Sequence, residues 1–252
     1  MLRTFSVTLV AVGMLILAPG AVHADWSDGF ESYNPGDVGG QGPWIDFGGT
    51  LTADVSTAPD PVKTGAQSLA FSLNPTDGDS YGSDVYLTAL NNGVAVTSGS
   101  WTISYQLYMP ANYPGGAHMY FSQTPMISFR DGVWLQAKAD GTLHYGVDGP
   151  DFANLVHDAW AEVRLDIDLD ADTVTASYDG TPFHTGVWDN NGDVETDTPG
   201  IGGINFWANS DGAGTGLSGS FFIDDFSITP EPAAMSLLAL GGLAVLRRRR
   251  KL

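Results

Sequence analysis

Residues 160–183 read WAEVRLDIDLDADTVTASYDGTPF. Val163, Leu165, Ile167 and Leu169 alternate with Glu162, Arg164, Asp166, Asp168 and Asp170. A period of two marks a strand with one apolar and one wet face. The run Thr173–Tyr178 repeats the pattern, and Asp179-Gly180 then supplies a tight-turn pair, so the stretch predicts consecutive antiparallel strands. Outward from it the same rhythm recurs. WTISYQLYM places Trp101, Ile103, Tyr105, Leu107 and Met109 on one face and Thr102, Ser104, Gln106 and Tyr108 on the other. VWLQAK sets Val133, Leu135 and Ala137 against Trp134, Gln136 and Lys138, and INFWAN behaves likewise. Asp131-Gly132 and Asp140-Gly141 punctuate the runs. Many short alternating strands without helical periodicity predict one all-β antiparallel sandwich.

The composition permits this. An apolar fraction of 43% supports a packed core, and 32 Gly with 14 Pro supply turns. There is no cysteine, which excludes disulfides, thiol catalysis and cysteine-ligated zinc. Between Asp25 and Thr229 only Lys63, Arg130, Lys138 and Arg164 face 28 acids, a formal charge of −24. Such a body repels phosphate backbones, which argues against nucleic-acid binding, and is compatible with neutral glycans and divalent cations.

The two ends differ from the body. Residues 1–24 carry Arg3, an apolar run from Val7 to Leu17 or Ala18, and Val22-His23-Ala24 with small residues before the expected cut. This is the layout of a secretory signal peptide. At the other end Pro230-Glu231-Pro232 precedes an apolar segment over 233–246, then Arg247–Arg250 and Lys251. Fourteen apolar residues are short of the roughly 20 a spanning helix needs. The basic cluster would hold the C-terminus on the cytoplasmic side, and its arginines would snorkel to extend a short anchor helix.

In this order the terminal features resemble the PEP-CTERM sorting signal of Gram-negative bacteria. That resemblance implies recognition by an exosortase-type sorting enzyme, transient inner-membrane anchoring, removal of the tail over 230–252, and delivery to the cell surface or extracellular matrix. Residues 160–183 resemble a strand pair of laminin-G-like and concanavalin A-like jelly rolls, in which a Trp opens a strand and the return strand ends in Tyr-Asp-Gly. DGFESYNPGDVGGQGPW near the start and GSFFIDDFSI near the end are similar to the first and last strands of that fold, so residues 25–229 are expected to form the domain.

The same resemblance implies a structural calcium between Asp28 or Glu31 and Asp224 or Asp225; turn capping by these acids is the alternative. Hard carboxylate oxygens suit calcium. Asp189, Asn191 and Asp193 have the spacing of a calcium loop, but Val194 stands at the glycine position and Gly200 at the terminal glutamate position, so the match fails. The run Asp166, Asp168, Asp170 and Asp172 has the roughly 7 Å strand spacing of acid/base pairs but lacks the Glu-x-Asp-x-x-Glu pattern of jelly-roll glucanases, and reads as a solvated face. Trp207 shares a face with Asn205 and Asn209, and Trp134 with Gln136; a flat ring flanked by amides is a sugar platform when it is open to solvent. His118, His144, His157 and His184 show no ligand spacing. The sequence therefore predicts an exported sandwich that binds extracellular polysaccharide without catalysis. The alternatives are a glycoside hydrolase or lyase on the same scaffold and a passive structural matrix protein.

Overall fold

Trp160–Asp168 and Thr173–Tyr178 pair antiparallel from Val163↔Tyr178 to Asp168↔Thr173. Val163, Leu165, Ile167 and Leu169 are buried, while Glu162, Arg164, Asp166 and Asp168 stay half-exposed on the opposite face. Asp179 and Gly180 have φ of 47° and 73°, the left-handed pair that turns a hairpin without splaying its strands.

The computed structural model describes residues 26–47, 51–73, 81–87, 96–122, 132–188, 200–211 and 216–231. The expected signal peptide (1–24), the anchor segment (233–246) with its basic tail, and the Asp189–Asp197 stretch lie outside these residues. Within them the strands are β1 (Trp26–Asp28), β2 (Gly36–Asp37), β3 (Trp44–Asp46), β4 (Asp54–Thr57), β5 (Gln67–Ser72), β6 (Tyr81–Leu87), β7 (Ser100–Tyr108) and β8 (Gly116–Ser122). They continue with β9 (Gly132–Ala137), β10 (Thr142–Tyr145), β11 (Phe152–Asn154), β12 (Trp160–Asp168), β13 (Thr173–Tyr178), β14 (Thr181–Val187), β15 (Gly203–Asn209) and β16 (Ser220–Pro230).

Two antiparallel sheets result. The nine-stranded sheet runs β14-β13-β12-β7-β16-β5-β4-β2, with β1 also pairing β16; the seven-stranded sheet runs β11-β10-β9-β8-β15-β6-β3. No helix occurs among the described residues. The chain is thus an all-β antiparallel two-sheet sandwich, as its alternation requires.

The core lies between the sheets and is aromatic at its centre. The Phe206 ring meets Trp44, Phe71, Tyr105, Phe121 and Phe226 at centroid separations of 5.4 to 6.5 Å. Burying such a ring stabilises by about 1.5–3 kcal/mol, and edge contacts add about 0.5–1.5 kcal/mol each. Tyr105, on the opposing sheet, is fully buried and donates its hydroxyl to Met119 Sδ at 2.7 Å.

The carboxylates along β12 and its turn serve this frame. Asp166 accepts from Arg164 Nε and Nη2 and from the Thr102 hydroxyl. Asp168 caps the turn through the amides of Asp170 and Ala171, and Asp170 accepts from Gly99 N.

Candidate functional site

Because Val133, Leu135 and Ala137 of β9, Ala117, Met119 and Phe121 of β8, and Ile204, Phe206 and Ala208 of β15 fill the core, their neighbours in sequence must face outward. Register then lines these outward residues up. One row crosses the seven-stranded sheet as Phe152, His144, Gln136, His118, Trp207 and Asp84, from β11 to β6. The adjacent row is Trp134, Tyr120, Asn205, Tyr86 and Ile45. The expected ligand residues Trp134, Gln136, Asn205 and Trp207 therefore meet on one face, with Asn209 at its end.

The face is not open in the manner the sequence suggested. Trp207 is 5% exposed, Gln136 4% and Asn205 3%, whereas Trp134 and Asn209 remain half-exposed. The reason lies on β8, whose His118 ring stacks on Trp207 at 4.9 Å. Trp134 packs edge-on against the same indole at 5.0 Å, and Tyr120 against Trp134 at 5.8 Å. Trp207 is therefore the floor of an aromatic layer and Trp134 its accessible part.

A polar chain runs through this layer. Trp134 Nε1 donates to His118 Nδ1 at 3.0 Å, and His118 Nε2 lies 2.7 Å from Asp211 Oδ1. An indole nitrogen only donates, so His118 accepts at Nδ1 and carries its proton on Nε2, toward Asp211. Gln136 Nε2 donates to the other Asp211 oxygen at 3.3 Å, and Asp148 N donates to Gln136 Oε1 at 3.1 Å. Lys138 closes the chain on Asp148 at 2.7 Å. Gly116 makes room for the Asp211 carboxylate: a Cβ at that position would meet Asp211 Oδ2 at 2.0 Å.

Two features stand apart from this chain. Asp84 accepts from the Asn205 amide at 2.6 Å, yet burial dominates and pushes its carboxyl up to about 7. Trp207 Nε1 and Ser210 Oγ are buried without a hydrogen-bond partner. His118, Asp84 and Asp211 were not among the residues the sequence singled out as ligand-binding. Only strand register brings His118 beside Trp207 and Asp84 opposite it.

The expected calcium set lies at the junction of the first and last strands. β1 pairs β16 from Trp26↔Ile228 to Asp28↔Phe226, and β16 is bulged between Asp224 and Ser227. Asp28 accepts from Phe30 N, Trp44 Nε1 and the Tyr33 hydroxyl. Glu31 accepts from the amides of Ala66 and Gln67. Asp224 accepts from the amides of Lys63, Thr64 and Asp225, and Asp225 from the Thr64 hydroxyl. Burial raises the Asp224 carboxyl while its amide donors lower it. Calcium needs six or more oxygens directed at one point. Here N–H and O–H donors hold the carboxylates, and among the described residues no three His, Asp or Glu side chains group as a metal site. As arranged, the set fits a hydrogen-bonded clasp and does not fit a calcium cage.

Comparison with known proteins adds two findings. Residues 229–251 match the PEP-CTERM protein-sorting motif, which marks an exported protein sorted to the cell surface and implies exosortase-type processing. No curated protein matches the chain in sequence. Among solved structures the sandwich is similar to a non-specific endo-β-1,3(4)-glucanase of glycoside hydrolase family 16, with a TM-score of 0.57 and 11% identity over 85% of this chain and 94% of that one. It is similar to an alginate lyase, with a TM-score of 0.55 and 10% identity over 84% of this chain and 98% of that one. It also matches a sialidase with a TM-score of 0.50 and 15% identity over 75% of this chain; the match spans 17% of the sialidase's length. At these identities the likeness is one of fold, the jelly-roll sandwich.

Proposed function

We propose that the outward face of the seven-stranded sheet binds a neutral polysaccharide at the cell surface or in the extracellular matrix, without catalysis. We propose further that the tail over 233–246 anchors the protein in the inner membrane until sorting. The observation that carries the binding assignment is the layered face itself. Trp134 offers a partly exposed ring, Asn209 stands half-exposed two rows further along the face, and the Trp207 Nε1–H between them lacks an acceptor. Sugar C–H groups stack on such rings while hydroxyls bond amides and indole N–H groups. The charges favour an uncharged chain: Asp84, Asp148 and Asp211 border the face, and its Lys138 is committed to Asp148. A polyuronate would meet these acids with the Lys138 ammonium already paired to Asp148.

Retention of the purified protein on immobilised neutral β-glucans, with a polyuronate gel as comparator, tests this. Binding to the neutral chains that falls at least tenfold in Trp134→Ala is expected. Absence of retention on any neutral polysaccharide would remove the assignment.

One observation favours the catalytic alternative. A carboxyl raised to about 7 is a proton donor at neutral pH, and Asp84 holds that property on the same face as Asp211. Release of reducing ends or of unsaturated products from the bound polysaccharide, lost in Asp84→Asn, would replace binding by turnover.

A further inference from the structure

The sorting motif begins at residue 229, yet β16 ends at Pro230, so the two overlap. Thr229 is paired with Thr102 of β7 and Pro230 with Trp101. The amide of Glu231 continues the ladder by donating to Ser100 O at 2.8 Å. The strand that receives them is interior, held by β12 on its other side. Glu231 also feels the body's side chains. The Arg164 guanidinium is held charged first by its hydrogen bond to Asp166, and the Glu231 carboxylate adds to that field. Two residues of the Pro-Glu-Pro segment are therefore part of the folded sandwich, and no spacer separates them from it.

An enzyme that cuts at such a segment takes the chain in extended form, with its main-chain groups free to pair in the active-site cleft. Here the Glu231 amide is already spent on Ser100. We infer that the folded domain restrains its own sorting signal, and that the end of β16 must detach from β7 before the sorting enzyme acts. Tail removal is then gated by fraying of the last rungs, at about a fivefold penalty for each main-chain hydrogen bond opened.

The test inserts a Gly-Ser-Gly-Ser spacer between Ile228 and Thr229, which leaves residues 229–251 intact and moves them off the sheet. Pulse-chase in cells that carry an exosortase-type enzyme measures tail removal in the full chain. The spacer variant is expected to lose its tail roughly five- to tenfold faster than the parent, and Arg164→Gln about twofold faster. A spacer variant processed at the parental rate or more slowly overturns the inference. Faster processing caused by an unfolded domain is separated by hydrogen exchange on the purified proteins. In the parent the Glu231 amide is expected to be protected. In the spacer variant it exchanges freely while the β7 and β12 amides stay protected. A freely exchanging Glu231 amide in the folded parent overturns the inference independently of any sorting assay.

Discussion

Replacing Asp84 by asparagine separates the cost of a buried carboxylate from everything else on the face. The carboxyl sits at about 7 against an ordinary 3.8, because burial disfavours its charged form more than the Asn205 amide supports it. The folded protein thus binds this proton more tightly than the unfolded chain. Stability is highest below the unfolded value, falls as pH rises from about 4 to about 7, and is flat above. A shift of about three units at about 1.4 kcal/mol each makes the ionised group about 4 kcal/mol destabilising on the alkaline plateau. Between about pH 5 and about pH 8 the loss is about 2.5–3 kcal/mol. Asparagine keeps an oxygen for Asn205 and removes the titration, at about 1 kcal/mol for its newly buried NH2 group. Burial also raises Asp46, Asp54 and Asp224, but these slope alike in both proteins and cancel in the difference. Urea unfolding followed by tryptophan fluorescence at the two pH values is the assay. The parent should lose about 2.5–3 kcal/mol more than Asp84→Asn on going to the higher pH. Parallel losses in the two proteins would refute the assignment of a proton to Asp84.

Trp207→Ala removes the buried floor of the aromatic layer and should destabilise by about 3–5 kcal/mol in urea unfolding. Trp134→Ala should destabilise by about 1–2 kcal/mol, chiefly from the unpaired His118 Nδ1, so its effect on glycan retention can be read in a folded protein. Trp44→Phe keeps the core ring but takes the indole donor from Asp28, with an expected cost of about 1–3 kcal/mol and a lower Tm by calorimetry. Millimolar calcium should move Tm by no more than about 1–2 °C relative to chelator. A rise of about 5 °C or more would mean that an ion displaces the donors now on Asp28, Glu31, Asp224 and Asp225.

The sandwich was legible because strand alternation is a local property. Val163 to Leu169 and Trp101 to Met109 declare their inward faces without reference to any other strand, and Asp179-Gly180 declares its turn. The face of Trp134 and Trp207 was legible for the same reason. The burial of Trp207 was not, because its cover is the His118 ring, whose position follows from the pairing of β8 with β15. Asp84 and Asp211 were hidden likewise: each owes its environment to a partner on another strand or, for Asp211, to the absence of a Cβ at Gly116. At the strand junction, sequence placed the acids of the first and last strands together. The donors that fill them come from Tyr33, Trp44 and the 63–67 amides, whose approach no local pattern encodes.

The position of β16 has a kinetic consequence. It is the last of the described strands to be synthesised, yet it lies inside the nine-stranded sheet, with β7 on one side and β5 and then β1 on the other. Until it arrives, the strands from β14 to β7 and those from β5 to β2 are two pieces with open edges. A chain led through a membrane N-terminus first, as the expected signal peptide would direct, could not complete this sheet during passage. It must close the sandwich after residue 230 has emerged, through contacts between its most distant parts, in the slow regime of high contact order. The keystone strand and the sorting signal then become available within a few residues of each other.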